Sequence, residues 1–70
     1  MKRNNLVSAR KSKGWTQDEL AARVDISRAY LSNIERGVYS PSLKVAQRLS
    51  SILGLSTDTL FFNDNARLSS

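Results

Sequence analysis

Seventy residues carry eleven Lys or Arg against six Asp or Glu, a net charge of +5, and contain neither cysteine nor histidine. A chain this short forms one domain at most and buries only about 60% of the surface its unfolded form exposes, so a large core is excluded. The missing residue types exclude disulfide frameworks, Cys or His metal clusters, thiol nucleophiles and histidine acid-base catalysis.

The placement of charge says more than its sum. Residues 1–48 hold ten basic against four acidic side chains, whereas residues 49–70 hold one against two. Charge alone leaves nucleic-acid binding and an ordinary basic surface equally open. The start MKRNNLV is basic but runs into Ser8 and Arg10 after only two apolar residues, so no signal peptide is expected. No run approaches membrane length, and a cytoplasmic location is expected.

In chain order, Asn4 or Asn5 opens a first helix that runs to about Lys13, with Gly14 just past its end. Its inward stripe is Leu6, Ala9, the stem of Arg10 and the approach to Trp15. Thr16 then N-caps a second helix and Glu19 completes a capping box, while Trp15 and Leu20 sit at hydrophobic-staple positions. Only Val24, Asp25 and Ile26 remain to turn the chain before Ser27 caps a third helix. Ile26 and Leu31 take its staple positions, and Gly37 supplies a left-handed stop. So short a link forces a sharp angle between two helices, a helix-turn-helix, and Ala21 on the inner face lets them approach closely.

Pro41 and Ser42 start a fourth helix with Leu43, Ala46, Leu49 and Leu53 at helical spacing, ended by Gly54, while Val45 and Ile52 fall off that stripe. Ser56 caps a short fifth helix, with Leu55 and Leu60 as a further staple and Asp58 near its positive end. The predicted fold is all-α, a compact five-helix bundle over residues 1–62 followed by a polar, frayed tail over 63–70.

Residues 3–62 resemble the Cro and phage-repressor type of helix-turn-helix, also called the xenobiotic-response-element type. The resemblance rests on Lys13-Gly14, Thr16-Gln17-x-Glu19-Leu20-Ala21, Ile26-Ser27, Leu31 to Gly37, Pro41-Ser42-Leu43 and Leu53-Gly54-Leu55-Ser56 in that order and spacing. It implies a lambda-repressor-like DNA-binding domain. One departure is Asp25, where such proteins usually carry Gly; Asp tolerates a positive φ better than most residues, so a strained turn is expected.

On a helical wheel, Leu31, Ile34 and the Glu35 stem share one side of the third helix, and Ala29, Ser32, Asn33 and Arg36 share the other. In this motif the second helix lies in the major groove with its N-terminal residues at base edges. Arg28 can fork onto guanine O6 and N7, Asn33 can take adenine N6 and N7, Ala29 offers a methyl to thymine, and Ser32 suits either. Wheel geometry alone would leave these as solvated surface residues. The resemblance implies base contact for Arg28, Ala29 and Asn33. Gln17 in the first turn of the second helix is placed to clamp a phosphate, as in similar proteins. Arg36, Tyr39, Ser40 and Lys44 border the loop that would follow the backbone, and Lys13, Lys11, Arg3 and Arg10 offer further charge.

Arg10 has a competing role, because related proteins pair it with the Glu that ends the recognition helix, here Glu35. Trp15 is read as packing rather than stacking on a base, and Tyr30 either packs at the core edge or reaches a phosphate. Phe61 and Phe62 look like core, yet two adjacent helical aromatics cannot both face it. With Val45 and Ile52 off the main stripe, apolar surface is left over, which points to a dimer contact through Ile52, Leu55, Phe61 and Phe62.

The leading functional expectation is a transcriptional regulator, of repressor or controller type, binding a palindromic operator in double-stranded DNA as a homodimer. A DNA-binding antitoxin holding a small protein partner is the second, and an interaction-only module the third. Seventy residues leave no room for a sensor domain, no cofactor is expected, and an activating role would need only a small RNA polymerase contact. An enzyme ranks last: Asp18 and Glu19 point in different directions and no nucleophile-base constellation exists.

Overall fold

A computed structural model describes residues 2–62, the last of them by its backbone only. The predicted contacts of Phe62 and the fate of the 63–70 tail lie outside the described residues. Five helices follow one another without a strand among the described residues: α1 (Asn4–Ser12), α2 (Gln17–Val24), α3 (Arg28–Glu35), α4 (Leu43–Leu53) and α5 (Asp58–Phe62). The last is a single wide turn of π type. No described helix is long and apolar enough to cross a membrane.

Local chemistry sets most of the boundaries. Thr16 Oγ1 accepts from Glu19 N at 3.1 Å and Glu19 Oε1 accepts from Thr16 N at 2.8 Å, a complete capping box. Ser27 caps α3 through Tyr30 N, and Ser42 caps α4 through Val45 N. Such a cap contributes about 1 kcal/mol. Thr16→Ala is therefore expected to lower the free energy of unfolding by that amount, read as a lower urea midpoint with an unchanged slope, and Thr16→Ser to restore it. An unchanged midpoint in the alanine variant would mean that water satisfies the exposed first turn equally well.

Asp25 holds φ 62° and ψ 48°, the sole non-glycine residue with positive φ among those described. This left-handed step lets Ile26 N donate to Ala21 O at 3.0 Å and reverses the chain within one residue of the α2 end. Arg48 on α4 supports the turn by donating from Nη1 to Val24 O at 3.3 Å.

The core is built from Leu6, Leu20, Ala21, Val24, Leu31, Ile34, Val45, Leu49, Leu53 and Leu60, with Trp15, Ile26, Tyr30, Ile52 and Phe61 packed at its margin. α2 packs on α3 and α4, and α1 on α3 and α5. Two sequence expectations are corrected here. Leu43, expected in the inward stripe, is 73% exposed, whereas Val45, expected off it, is 8% exposed. On the wheel Val45, Ala46, Leu49, Ile52 and Leu53 lie within about 60° of Leu49, while Leu43 lies about 120° away. The buried face is thus centred on Leu49, and Val45 adds nothing to any surplus surface. Val7 also joins the buried side of α1, where Ala9 is only partly covered.

Candidate nucleic-acid interface

The capped start of α3 and the left-handed residue before it fix which side of this helix faces solvent. Leu31 and Ile34 are fully buried, and Glu35 is 3% exposed. Arg28, Ala29 and Arg36 are exposed, and Ser32 and Asn33 half-buried, so the five side chains proposed to face DNA line the open side of the helix. Asn33 Oδ1 accepts from Arg36 Nη1 at 3.4 Å, while its carbonyl accepts from Val38 N and Tyr39 N, which turns the following loop away from the helix axis.

An ionic and hydrogen-bonded network holds the inner side. Arg10 Nε donates to Glu35 Oε2 at 2.7 Å, Arg10 Nη2 to Glu35 Oε1 at 3.2 Å, and Arg10 Nη1 to Trp15 O at 2.9 Å. Gln17 Nε2 also donates to Glu35 Oε1, at 3.0 Å. The pair lies under the surface, with side chains 11% and 4% exposed, and no buried side-chain polar atom lacks a partner among the described residues. Arg10 is therefore a structural cation here, not a phosphate contact. Gln17 sits half-buried at the start of α2 with one amide hydrogen committed to Glu35, so any backbone clamp it makes uses its second amide hydrogen.

Arg3 is likewise occupied. Its Nε donates to Ile34 O at 3.0 Å, its Nη1 to Phe61 O at 3.4 Å, its backbone N to Glu35 O at 2.8 Å, and its guanidinium lies 5.3 Å from the Phe61 ring centre. Asn5 adds a bond from Nδ2 to Thr59 O. The carbonyl end of α3 is thereby tied to both α1 and α5.

Tyr30 packs at the core margin, stands 6.3 Å from the Tyr39 ring, and accepts from Ser42 N with its hydroxyl, bracing the loop over 37–42. Tyr39, Ser40, Lys44 and Lys13 are all exposed. Trp15 packs against the core with the Arg23 guanidinium over its ring at 4.3 Å. Sequence reasoning did not find the ion pair between Arg28 Nε and Asp18 Oδ1, 3.5 Å apart on the open surface where α2 and α3 begin. The signal was opposite charge at the second position of one helix and the first position of the next.

Two short helices meeting through a left-handed turn, the second offering a polar and basic outer face, define a DNA-binding helix-turn-helix domain. A family model described as helix-turn-helix matches residues 6–60. The chain is 41% identical over 64 residues to the uncharacterized HTH-type transcriptional regulator YqaF of Bacillus subtilis (strain 168), covering 91% of this chain and 83% of that protein. It is 37% identical over 55 residues to the immunity repressor protein of Bacillus phage phi105, covering 79% of this chain but 38% of the repressor. In three dimensions it is similar to a hypothetical transcription factor, NHTF from Neisseria, with a TM-score of 0.73 and 28% identity over 94% of this chain and 76% of that one. The chain belongs to the helix-turn-helix family of the Cro and phage-repressor, or xenobiotic-response-element, type.

Proposed function

We propose that this chain is a sequence-specific transcriptional regulator that sets α3 into the major groove of a palindromic operator and binds it as a homodimer. The observation that carries the reading is the division of α3: its inner side is buried and anchored at Glu35, while Arg28, Ala29, Ser32, Asn33 and Arg36 lie on its open side, where a groove would meet them. Arg28, Ala29, Ser32 and Asn33 read bases in this assignment. Gln17, Lys13, Arg36, Tyr39, Ser40 and Lys44 follow the sugar-phosphate backbone and supply the salt-dependent part of the affinity. The relatives named as transcriptional regulators and as an immunity repressor support the same reading.

Apolar surface supports the dimer. Leu43 and Leu55 are exposed, and Pro41, Leu43, Ala46 and Phe61 line one largely apolar depression together with Arg3, Ser40 and Thr57. Ile52 and Phe61 are both packed at the core margin, so Leu55 remains the exposed contact of the interface expected from sequence, and Leu43 joins it. A twofold pair would place two reading helices about 34 Å apart, one turn of DNA.

Selection of bound sequences from a random duplex pool tests both parts. The expected product is an inverted repeat bound by two chains. On that site Arg28→Ala and Asn33→Ala should each weaken binding about 5- to 150-fold, the equivalent of about 1 to 3 kcal/mol, and each should relax preference at one base position. Lys44→Ala should weaken selected and random duplexes alike. Equal losses on both kinds of DNA for all three variants would refute the base assignment, and a single unrepeated site bound by one chain would refute the dimer.

A further inference from the structure

The Asp18 to Arg28 ion pair places a carboxylate on the surface that the proposed function turns towards DNA, where a bare negative charge only repels phosphate. Asp18 lies in the first turn of α2, and Arg28 is the first residue of α3, directly across the turn. Oδ1 of Asp18 stands 3.5 Å from Nε of Arg28, with the two side chains 78% and 59% exposed. A guanidinium has two edges that can form a paired contact, one through Nε and an Nη, the other through Nη1 and Nη2. A carboxylate 3.5 Å from Nε, an ionic contact rather than a hydrogen bond, stands beside the first and leaves the second open, which matches guanine O6 and N7.

We propose that Asp18 is a specificity-determining positioning residue: it holds Arg28 from the Nε side so that the Nη1 and Nη2 edge meets a guanine, and it withholds that cation from phosphates. The inference rests on the proposed reading of Arg28 and extends it to a second residue. The physical basis is the freedom of arginine. An unrestrained exposed Arg at the start of a recognition helix can drop onto the nearest backbone phosphate as readily as reach a base, and the phosphate contact carries no sequence information. A neighbouring carboxylate removes some of those rotamers before binding and adds repulsion to any pose that brings Arg28, with Asp18 beside it, against phosphate. Once water is displaced from the groove the pair strengthens, because the local dielectric falls. The N-terminal position of Asp18 on α2 also suits its charge, so holding the pair does not strain the helix.

The test compares wild type, Asp18→Asn, Arg28→Ala and the double variant on a selected operator, on the same duplex with the guanine opposite Arg28 replaced by adenine, and on random DNA, across a salt series. The expected result for Asp18→Asn is a three- to fivefold loss of discrimination between the two operators, with affinity for random DNA unchanged or raised and a salt slope steeper by about one. In the Arg28→Ala background the Asn substitution should leave discrimination unaltered. If Asp18→Asn keeps full discrimination while Arg28→Ala abolishes it, the positioning role is wrong and the base contact stands. Equal strengthening on all three duplexes, with discrimination intact, likewise overturns it by reducing Asp18 to a general repulsive charge. If Arg28→Ala itself leaves preference unchanged, the base assignment fails and the inference with it.

Discussion

Glu35→Ala is expected to lower the free energy of unfolding by about 3 to 5 kcal/mol, the range for leaving a buried charge without its partner. Glu35 is 3% exposed and accepts from Arg10 twice and from Gln17 once. Its removal strands the Arg10 guanidinium with the Trp15 carbonyl as its remaining partner in this network. A chain of 70 residues, at about 0.05 to 0.15 kcal/mol per residue, has about 4 to 10 kcal/mol in total, so the variant should lose from roughly a third to all of its stability. Arg10→Ala should have a similar effect, since it leaves the carboxylate buried with Gln17 alone. The two losses should not add. In a double-mutant cycle the second substitution removes the charge that the first stranded, and the coupling should exceed 1 kcal/mol. Urea denaturation of the four proteins measures it; additive losses below 1 kcal/mol each would mean that both groups are effectively hydrated.

Leu31→Ala should be nearly as damaging. Leu31 is fully buried on the inner side of α3, so truncation removes its transfer free energy and leaves a cavity between the reading helix and the rest of the core, about 2 to 5 kcal/mol in all. No DNA-facing side chain is altered. The free protein should therefore melt many degrees lower, yet bound operator should recover much of the loss, because a ligand that binds only the folded form stabilises it by RT ln(1 + [L]/Kd). A variant melting temperature that saturating operator raises by clearly less than it raises the wild-type value would show that the repacked helix no longer fits the groove. Together the two variants separate what anchors α3 at its end from what fills the space beneath it.

The elements most legible in the sequence were those written by short-range chemistry. Thr16 with Glu19, Ser27, Ser42 and the glycines at 14, 37 and 54 mark helix ends because each satisfies a backbone group or a positive φ within four residues. The division of α3 into a buried and an open side followed from its period. What failed was a choice between two stripes on α4, because Ala46, Leu49 and Leu53 belong to both and only the neighbours of α4 decide whether Val45 or Leu43 joins them. Arg3 and Arg48 were also illegible, since both bond to carbonyl oxygens and a carbonyl leaves no trace in the residue type. The wide turn of α5 has no marker either. Base and phosphate contacts are proposals of a different kind, because they depend on a partner whose sequence the chain does not write.

The clasp formed by Arg3 and Asn5 has a consequence for the order in which the molecule assembles. The α2 and α3 pair closes over a few residues, so the reading element can form early from local contacts. The clasp instead joins positions separated by 31 residues at Ile34, 54 at Thr59 and 58 at Phe61, and these loops must close against a larger entropy. Contacts made after the rate-limiting barrier govern how fast a fold comes apart rather than how fast it forms. Arg3→Ala is therefore expected to speed unfolding more than it slows folding, the mark of a bond between the two ends of the domain that sets how long the native state lasts.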